Sequence, residues 1–226
     1  MIDLSIVIVA YKSDDVLRAC LMSLAGARGV TFEVIVVDNG NQTSTQETVH
    51  DVAPDATYIA NPENRGFAAA VNQGLKLRRG RYALLLNPDT VVPPDAMKRM
   101  VEHLDADKEV GIASSIIVYP DGSLQESIRR FPKLCDQLLV MLKVPHVLPS
   151  IWPIKRYMMR DADPYKTQDV DSIMGAFMFI RSEVMEKIGL FDERYFIWFE
   201  EVDYCKMAVN AGFKVRHYAD VTITHH

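Results

Sequence analysis

Carboxylate and aromatic side chains interleave in the segment from Phe191 to Asp203. Glu200 and Asp203 lie one turn apart if a helix begins at this point. Acidic residues are common in the first turn of a helix because each interacts with the helix dipole by about 0.3–1 kcal/mol. A carboxylate beside aromatic rings is partly removed from water, which raises its pKa and suits a general base. The segment therefore predicts either an acidic helix start or a proton acceptor.

Two further carboxylates follow apolar runs that have the pattern of buried strands. Asp38 comes directly after residues 33–37, and Asp89 ends the Asn-Pro-Asp segment that follows residues 82–86. Ligands of open parallel sheets bind beyond the carboxyl ends of the strands, so both positions are candidates for a ligand site. The Asp-Asn-Gly sequence at Asp38 is equally favoured in turns of any kind. Asp89 is the stronger candidate, although Asn-Pro-Asp-Thr also suits a turn before a helix.

A loop rich in asparagine precedes a run of small residues at 66–70. Asn64 and Arg65 lie in this loop, and Gly66 begins the small-residue run. Small side chains allow a ligand to approach the backbone amides at a helix amino end, where phosphate is favoured. Close packing of the helix on a sheet explains the alanines equally well.

The elements that position these residues alternate between strands and helices, which predicts crossover units and a mostly parallel sheet. The predicted strands are 4–10, 33–37, 57–60, 82–86, 111–118, 172–180 and 215–224. The first predicted helix is capped by Asp14 or Asp15 and runs to Leu24. The other predicted helices are 44–52, 67–77, 95–104, 134–142 and 200–211. Residues 131–165 contain five prolines and are expected to form an irregular excursion with one helix.

The composition is that of a soluble globular protein, with 226 residues, 49% hydrophobic residues and a formal charge of −5. The excess of acid argues against nucleic acid as a general partner. Three widely spaced cysteines predict neither a disulfide framework nor a zinc site, and fit a reducing, cytoplasmic setting. The apolar run at 4–10 is a strand and not a signal peptide, and no run is long enough to span a membrane.

Six segments together are similar to the ordered motif set of family 2 glycosyltransferases with the GT-A fold. The segments are residues 6–11, 36–40, 64–74, 86–89, 175–178 and 191–203. Their pattern most resembles the rhamnosyltransferase-like branch, which builds bacterial surface polysaccharides. The resemblance implies a single α/β GT-A domain over 1–226, in which a Rossmann-like, mostly parallel sheet is flanked by helices and carries an irregular excursion on the acceptor side. It places the nucleotide sugar in about 1–105 and the acceptor in about 106–226. Relatives continue past the last residue, so a truncated carboxyl end is also expected.

The resemblance also implies which residues bind the nucleotide sugar and a Mg²⁺ or Mn²⁺ cofactor. The positions implied for the donor are Ala10, Tyr11, Asp38, Asn64, Arg65, Gly66, Asn72, Asn87 and Asp89. Asp89 matches the last acid of the metal-binding signature, whose first acid is replaced here by Asn87. A single carboxylate predicts modest metal affinity in the absence of the donor phosphates. His225 matches a histidine that lies near the metal in some relatives, although a terminal His-His pair is equally consistent with a surface role.

On the acceptor side, the resemblance implies contacts from Gly175, Ala176, Trp198 and Asp203. The family's catalytic base is the second acid of a Glu-Asp pair, and this chain has Glu201 at that position. Because glutamate is longer than aspartate, Glu200 stays open as the alternative base. A carboxylate opposite a diphosphate leaving group predicts an inverting transfer from a nucleoside-diphosphate sugar, dTDP-rhamnose or a UDP-sugar, to a glycan or polyprenyl-linked acceptor.

Three other functions compete with this interpretation. A sugar nucleotidyltransferase carries a Gly-rich phosphate loop with a basic residue after its first strand, whereas residues 10–14 here are Ala-Tyr-Lys-Ser-Asp. A nicotinamide-dependent dehydrogenase is disfavoured because no G-x-G-x-x-G opens the first helix. A noncatalytic sugar-binding or scaffold domain stays open because a fold does not establish turnover.

Peripheral contact with the inner face of the cell membrane is a further expectation. Apolar residues at 138–145 and 151–160 alternate with basic ones, although the chain is acidic as a whole. The basic residues are Lys143, Lys155, Arg156, Arg160 and Lys166. A flap packed over the sheet is the alternative, because the prolines prevent one continuous amphipathic helix. The sequence leaves the oligomeric state open.

Overall fold

The computed structural model describes residues 2–148 and 151–226, and Pro149 of the predicted excursion lies outside them. The strands are β1 Leu4–Ala10, β2 Phe32–Asp38, β3 Thr57–Ala60, β4 Tyr82–Leu86, β5 Thr90–Val91, β6 Val110–Val118, β7 Ile128–Arg129, β8 Gln168–Asp169, β9 Ser172–Ile173, β10 Phe177–Arg181 and β11 Lys214–His225. The helices are α1 Asp14–Ala25, α2 Thr43–Val52, α3 Phe67–Leu77, α4 Ala96–Ala106, α5 Leu134–Met141, α6 Val144–Val147, α7 Trp152–Tyr157, α8 Ser182–Ile188 and α9 Glu200–Asn210.

The central sheet has the strand order β3-β2-β1-β4-β10-β6-β11-β5, with β8 paired to β11. Pairing is parallel from β3 to β4 and again between β6 and β11, whereas β10 runs antiparallel to both β4 and β6. A separate antiparallel pair, β7 and β9, lies outside this sheet. The predicted α/β architecture with a mostly parallel sheet is therefore confirmed.

Helices cover both faces of the sheet, because its strands are apolar on both sides. Successive residues of β1 alternate between the faces: Ile6 and Ile8 pack with α1 and α4, and Val7 packs with α3, α8 and α9. All three side chains are buried. This double burial explains why the strand has an almost continuous β-branched sequence.

The predicted strand 172–180 is divided in two. Ser172–Ile173 pairs with β7, and Phe177–Arg181 enters the central sheet. Between them, the Met174 amide donates to Ser127 and the Ala176 carbonyl accepts from the Asn87 amide. The chain changes sheets at Gly175, and apolar periodicity cannot reveal such a change because both halves are buried.

Two local expectations are also corrected. Ser13, and neither Asp14 nor Asp15, occupies the N-cap position of α1, and its side chain makes no capping hydrogen bond. The Asp14 carboxylate instead accepts hydrogen bonds from Ser44 and Thr45. These bonds hold α2 against α1. The excursion contains two helices besides α5, and each has a proline in its first turn, where the missing N–H costs no helical hydrogen bond.

None of the described helices combines the length and the apolar character that crossing a bilayer requires.

Candidate active site

A pocket of about 410 Å³ opens beyond the carboxyl ends of β1, β2 and β4. Tyr11, Asn64, Gly66, Asn87 and Asp89, all predicted for the donor site, line this pocket. The pocket also includes Lys12, Asn39, Phe196 and Ile197, which sequence reasoning did not assign. The parallel strands bring together residues that lie far apart in the chain.

Asp38 lies beneath this pocket and does not line it. Its side chain is fully buried and accepts hydrogen bonds from the amides of Gly40 and Gln42 and from the Tyr58 hydroxyl. These bonds fix the carboxylate within the turn after β2 and join it to Tyr58 of β3. The nucleoside contact expected of Asp38 stays a prediction.

Asn39 organises the wall of the pocket. Its Nδ2 donates to Asn64 Oδ1 at 2.7 Å and to the Gly66 carbonyl at 3.2 Å, and its Oδ1 accepts from the Arg65 amide at 3.1 Å. The buried amide thus joins the turn after β2 to the loop before α3. The Asp-Asn-Gly signal pointed to this turn, but the residue that faces the pocket is the asparagine.

Gly66 permits a close approach between this loop and residues 196–199. The glycine has φ +83°, and a Cβ there would lie 2.7 Å from the Phe196 carbonyl oxygen. The same carbonyl accepts a hydrogen bond from the Phe67 amide at 2.7 Å. The amide of Phe67 at the start of α3 is therefore engaged in chain packing. Phosphate binding by the start of this helix stays a prediction.

Three other residues predicted for the donor lie outside the pocket. Asn72 is buried and holds the backbone of Phe191 and the carboxylate of Glu193, so its role is to position the segment before α9. Ala10 is fully buried at the end of β1. Arg65 is exposed and does not line the pocket.

Lys12 supplies a cation to the donor pocket. Its ammonium lies 5.4 Å from the centre of the Tyr11 ring and forms no ion pair with any described carboxylate. The residue has φ +51°, a left-handed conformation that is uncommon for lysine and turns the chain at the end of β1. The Tyr-Lys sequence directly after the first strand was the available signal for this residue.

Asp89 and His225 meet at the edge of the pocket. Asp89 Oδ1 is buried, receives no hydrogen bond, and lies 3.1 Å from Nε2 of His225. Pairing of β5 with the end of β11 produces this contact, since His225 is in register with Thr90. The two predicted metal residues are thus brought together across the sheet.

Gln125 determines which nitrogen of His225 faces Asp89. Its Oε1 lies 2.9 Å from Nδ1 of the imidazole, and its Nε2 donates to the His225 carbonyl at 2.8 Å. An amide oxygen accepts only, so in the neutral ring Nδ1 carries the proton and Nε2 has the lone pair. The side-chain Nδ2 of Asn87 lies 3.1 Å from that Nε2 and can donate a hydrogen bond to its lone pair. Sequence reasoning missed Gln125.

A carboxylate oxygen without a donor and an imidazole lone pair fit a divalent cation. No group of three or more His, Cys, Asp or Glu side chains suited to a metal occurs in residues 2–148 and 151–226. A hard cation such as Mg²⁺ or Mn²⁺ completes its shell with water and substrate phosphates, so two protein ligands fit a metal that arrives with the donor.

Glu201 lines a second pocket, of about 150 Å³, together with Arg129, Tyr157 and Trp198. Burial raises the pKa of the Glu201 carboxyl, and its Oε2 is buried with no hydrogen-bond partner in the described structure. A Cβ at Gly175 would lie 3.9 Å from the Cβ of Glu201, so the glycine is close to this side chain, and its expected contact with the acceptor stays a prediction. The unpaired oxygen is available to a hydroxyl proton.

The remaining acceptor-side residues have different positions. Trp198 lines the second pocket but is 74% exposed. Burial is the main cause of the raised pKa values of Glu200 and Glu201 at the start of α9. Ala176 is buried and its carbonyl accepts from the Asn87 amide. Asp203 does not line the pocket.

Residues 196–199 lie between the two pockets. Phe196 and Ile197 line the donor pocket, and Trp198 and Phe199 line the pocket of Glu201. Trp198 and Phe199 have φ values of +69° and +71°. Left-handed conformations of this kind are strained for aromatic residues and are concentrated at functional sites.

Glu200 is 6% exposed and lines neither pocket. Burial, followed by the charge of Glu201, raises its pKa to about 7. The folded protein therefore holds a proton on Glu200 in a pH range where the unfolded chain has released it.

This pKa predicts a pH-dependent effect of Glu200→Gln. The pKa of the Glu200 carboxyl is 4.5 in the unfolded chain and about 7 in the folded one. The free energy of unfolding of the wild type should therefore decrease as the pH rises between these two values. At pH 8 the variant should be more stable by about 1–2 kcal/mol, because it buries no charge. At pH 4, where the carboxyl is mostly protonated in both the folded and the unfolded chain, the difference should nearly vanish. Urea unfolding at both pH values measures this, with exposed Glu183→Gln as control; an equal stability difference at both pH values would contradict it.

Comparison with known proteins identifies the relatives of this chain. A model described as glycosyl transferase family 2 matches residues 5–189. A succinoglycan biosynthesis protein, ExoO, of Rhizobium meliloti is 33% identical over 150 residues, which cover 66% of this chain and 42% of the relative. An N-acetylglucosaminyl-diphospho-decaprenol L-rhamnosyltransferase of Mycobacterium tuberculosis is 25% identical over 239 residues, which cover 99% of this chain and 76% of that one.

Solved structures show the same fold. The mannosyltransferase PcManGT of Pyrobaculum calidifontis, in complex with GDP-Man and Mn²⁺, has a TM-score of 0.70 at 18% identity, covering 98% of this chain and 56% of that one. GalNAc-T7 with UDP, GalNAc and Mn²⁺ has a TM-score of 0.71 at 14% identity, covering 100% and 44%. These neighbours are GT-A glycosyltransferases, so the fold expected from the motif resemblance is confirmed.

Proposed function

The chain belongs to glycosyl transferase family 2, and we propose that it is an inverting, metal-dependent hexosyltransferase acting on a nucleoside-diphosphate sugar. The observation that carries the proposal is the pair of adjacent pockets divided by residues 196–199. One offers Lys12 and the Asp89–His225 pair, which suit a diphosphate and its cation. The other offers the unpaired oxygen of Glu201, which suits a hydroxyl nucleophile.

Each set of residues has a separate task in the proposed reaction. Glu201 accepts the proton of the acceptor hydroxyl while the oxygen of that hydroxyl attacks the anomeric carbon of the donor sugar. The diphosphate leaves on the opposite face, where Lys12 neutralises part of its charge. Asp89 and His225 would hold Mg²⁺ or Mn²⁺, which when bound supplies Lewis-acid stabilisation of the departing phosphates. Attack opposite the leaving group inverts the anomeric configuration.

The relatives support a narrower choice of substrates. One is named as a rhamnosyltransferase acting on a diphospho-decaprenol, and another as a succinoglycan biosynthesis protein. We therefore propose dTDP-rhamnose or a UDP-sugar as donor and a glycan or polyprenyl-linked glycan as acceptor. A sugar nucleotidyltransferase is not supported, since the family model covers residues 5–189.

A donor screen tests the proposed function. The melting temperature is measured with nucleotide sugars in the presence of Mn²⁺ and in the presence of a chelator, since a ligand that binds the folded state stabilises it by mass action. The proposal expects at least one donor to stabilise the protein only with the metal, and to be hydrolysed slowly or transferred. Metal-dependent stabilisation with no turnover under any condition would instead favour a noncatalytic sugar-binding domain.

We also propose that the protein acts in the cytoplasm as a peripheral protein at the inner face of the membrane, with exposed side chains of residues 134–143 and 151–155 in contact with lipid. Leu134, Met141, Leu142 and Trp152 are 70–79% exposed in this segment. Exposed apolar side chains beside lysines are typical of interfacial segments.

The predicted basic set is reduced by ion pairing. Arg156 is bound to buried Asp136, Arg160 to Glu126, and Lys166 to Asp163. Lys143 and Lys155 form no ion pair within the described chain and stay available for an anionic surface. Two lysines contribute about 1 kcal/mol each, so the apolar side chains must supply much of the binding.

Liposome cosedimentation provides a prediction for this surface. The double variant Leu142→Ser/Trp152→Ser should bind anionic vesicles at least about 10-fold more weakly than the wild type, because it removes two inserted apolar side chains. Lys143→Glu/Lys155→Glu should lose most of the preference for anionic over neutral vesicles. Met22→Ser, exposed on α1, is the control. Equal binding by all four proteins, or by none, would remove the membrane proposal.

A further inference from the structure

Arg129 is a cation inside the pocket of Glu201 that the proposed chemistry does not use. It lies on β7, opposite Ser172 of β9, so its backbone is fixed by pairing. Its guanidinium donates from Nη1 to the Ile128 carbonyl at 2.8 Å and takes part in no ion pair with a described residue. A guanidinium has five N–H donors, so most of the donors of Arg129 make no hydrogen bond to the described residues.

The neighbouring Arg130 has the opposite environment. The Arg130 guanidinium contacts both carboxylate oxygens of Asp161 from Nη1, at 2.7 and 3.0 Å, and therefore has a counter-ion. The Arg129 guanidinium lines the pocket of Glu201, is partly removed from water and forms no ion pair with a described residue. Burial accordingly lowers the pKa of Arg129.

The carboxylates that face Arg129 do not neutralise it directly. Glu126 is bound to Arg160 at 2.6 Å. Glu201 is close enough for its charge to act on Arg129, but the two side chains form no ion pair and the pKa of Glu201 is raised by burial. Tyr157 lines the same pocket. The pocket thus contains, beside Glu201, a guanidinium that makes one hydrogen bond and no ion pair with the described residues.

We propose that Arg129 binds an anionic oxygen group, a phosphate or a carboxylate, carried by the acceptor whose hydroxyl Glu201 deprotonates. The inference rests on the proposed function for the role of Glu201. A planar fork matches the oxygens of both groups through two parallel hydrogen bonds. Such an anchor would orient the acceptor relative to Glu201, and an uncharged glycan would lack it.

Small probes test the anchor without a donor and without turnover. Three probes, glucose 1-phosphate, glucuronate and methyl glucoside, are titrated into the ¹⁵N-labelled protein. NMR follows the Nε–Hε signal of Arg129, which is assigned by its absence from the spectrum of Arg129→Met. The two anions should shift this signal and bind about 10-fold or more tightly than methyl glucoside, as expected for charge-assisted hydrogen bonds. The anion that binds more tightly shows whether the acceptor group recognised by Arg129 is a phosphate or a carboxylate.

Matched variants complete the test. Arg129→Met should lose this binding, Arg129→Lys should keep only part of it, and Arg130→Met should keep all of it. If Arg129→Met does not fold, the comparison of Arg129→Lys with Arg130→Lys decides. An unmoved Arg129 signal, or equal affinity for methyl glucoside, overturns the anchor. Failure of sugar transfer with intact probe binding would count against the proposed function alone.

Discussion

Glu201→Gln will lower the rate of sugar transfer by about 10²–10⁴, the usual contribution of a general base. The amide has nearly the same shape but cannot accept the hydroxyl proton. Glu201 lines the second pocket and has an oxygen with no hydrogen-bond partner in the described structure. Nucleoside diphosphate binding should be unchanged, because the donor pocket lies on the other side of residues 196–199. Single-turnover transfer and calorimetry measure the two effects separately.

The control for this prediction is Glu200→Gln, which should slow transfer much less because Glu200 lines neither pocket. The pH profile adds an independent check. The wild-type rate should fall as the pH falls through the raised pKa of Glu201, because the protonated carboxyl cannot act as a base. Glu201→Gln should lack this acidic limb. A larger effect of Glu200→Gln would identify Glu200 as the base.

Asp89→Ala will weaken Mn²⁺-dependent binding of nucleoside diphosphate by about 100-fold or more, equivalent to about 2.7 kcal/mol. The variant removes the one carboxylate of the Asp89–His225 pair and leaves the imidazole alone to hold the cation. The fold should persist, because the side chain lies in the short connection between β4 and β5 and accepts no hydrogen bond on Oδ1. Calorimetry with and without Mn²⁺ measures the loss.

Asp51→Ala is the matched control, since Asp51 is an exposed carboxylate on α2 whose one ion pair within the described residues is with Arg18 on the surface. It should leave metal-dependent binding unchanged. His225→Ala should weaken binding less than Asp89→Ala, because the carboxylate carries the charge. Unchanged affinity in Asp89→Ala would remove the metal assignment, and equal losses with and without Mn²⁺ would indicate a structural effect.

The sequence by itself predicted the strands and helices of the amino-terminal half with little error. The strand 57–60, the helix 67–77 and the strand 82–86 coincide with β3, α3 and β4. Their periodicity is strong, because the strands are covered on both faces and turn residues bound each segment. The carboxylate at 201 and the Asp89–His225 pair were likewise implied by the motif resemblance.

Only the tertiary structure decided which polar side chains face a pocket. Asp38 and Asn39 are adjacent, yet the carboxylate closes its own turn and the asparagine faces the donor pocket. Gln125 reaches His225 from 100 positions away. Arg129 faces Glu201 while Arg130 faces Asp161. In each case the position of a side chain depends on contacts between segments that lie far apart in the chain, and local residue types do not encode such contacts.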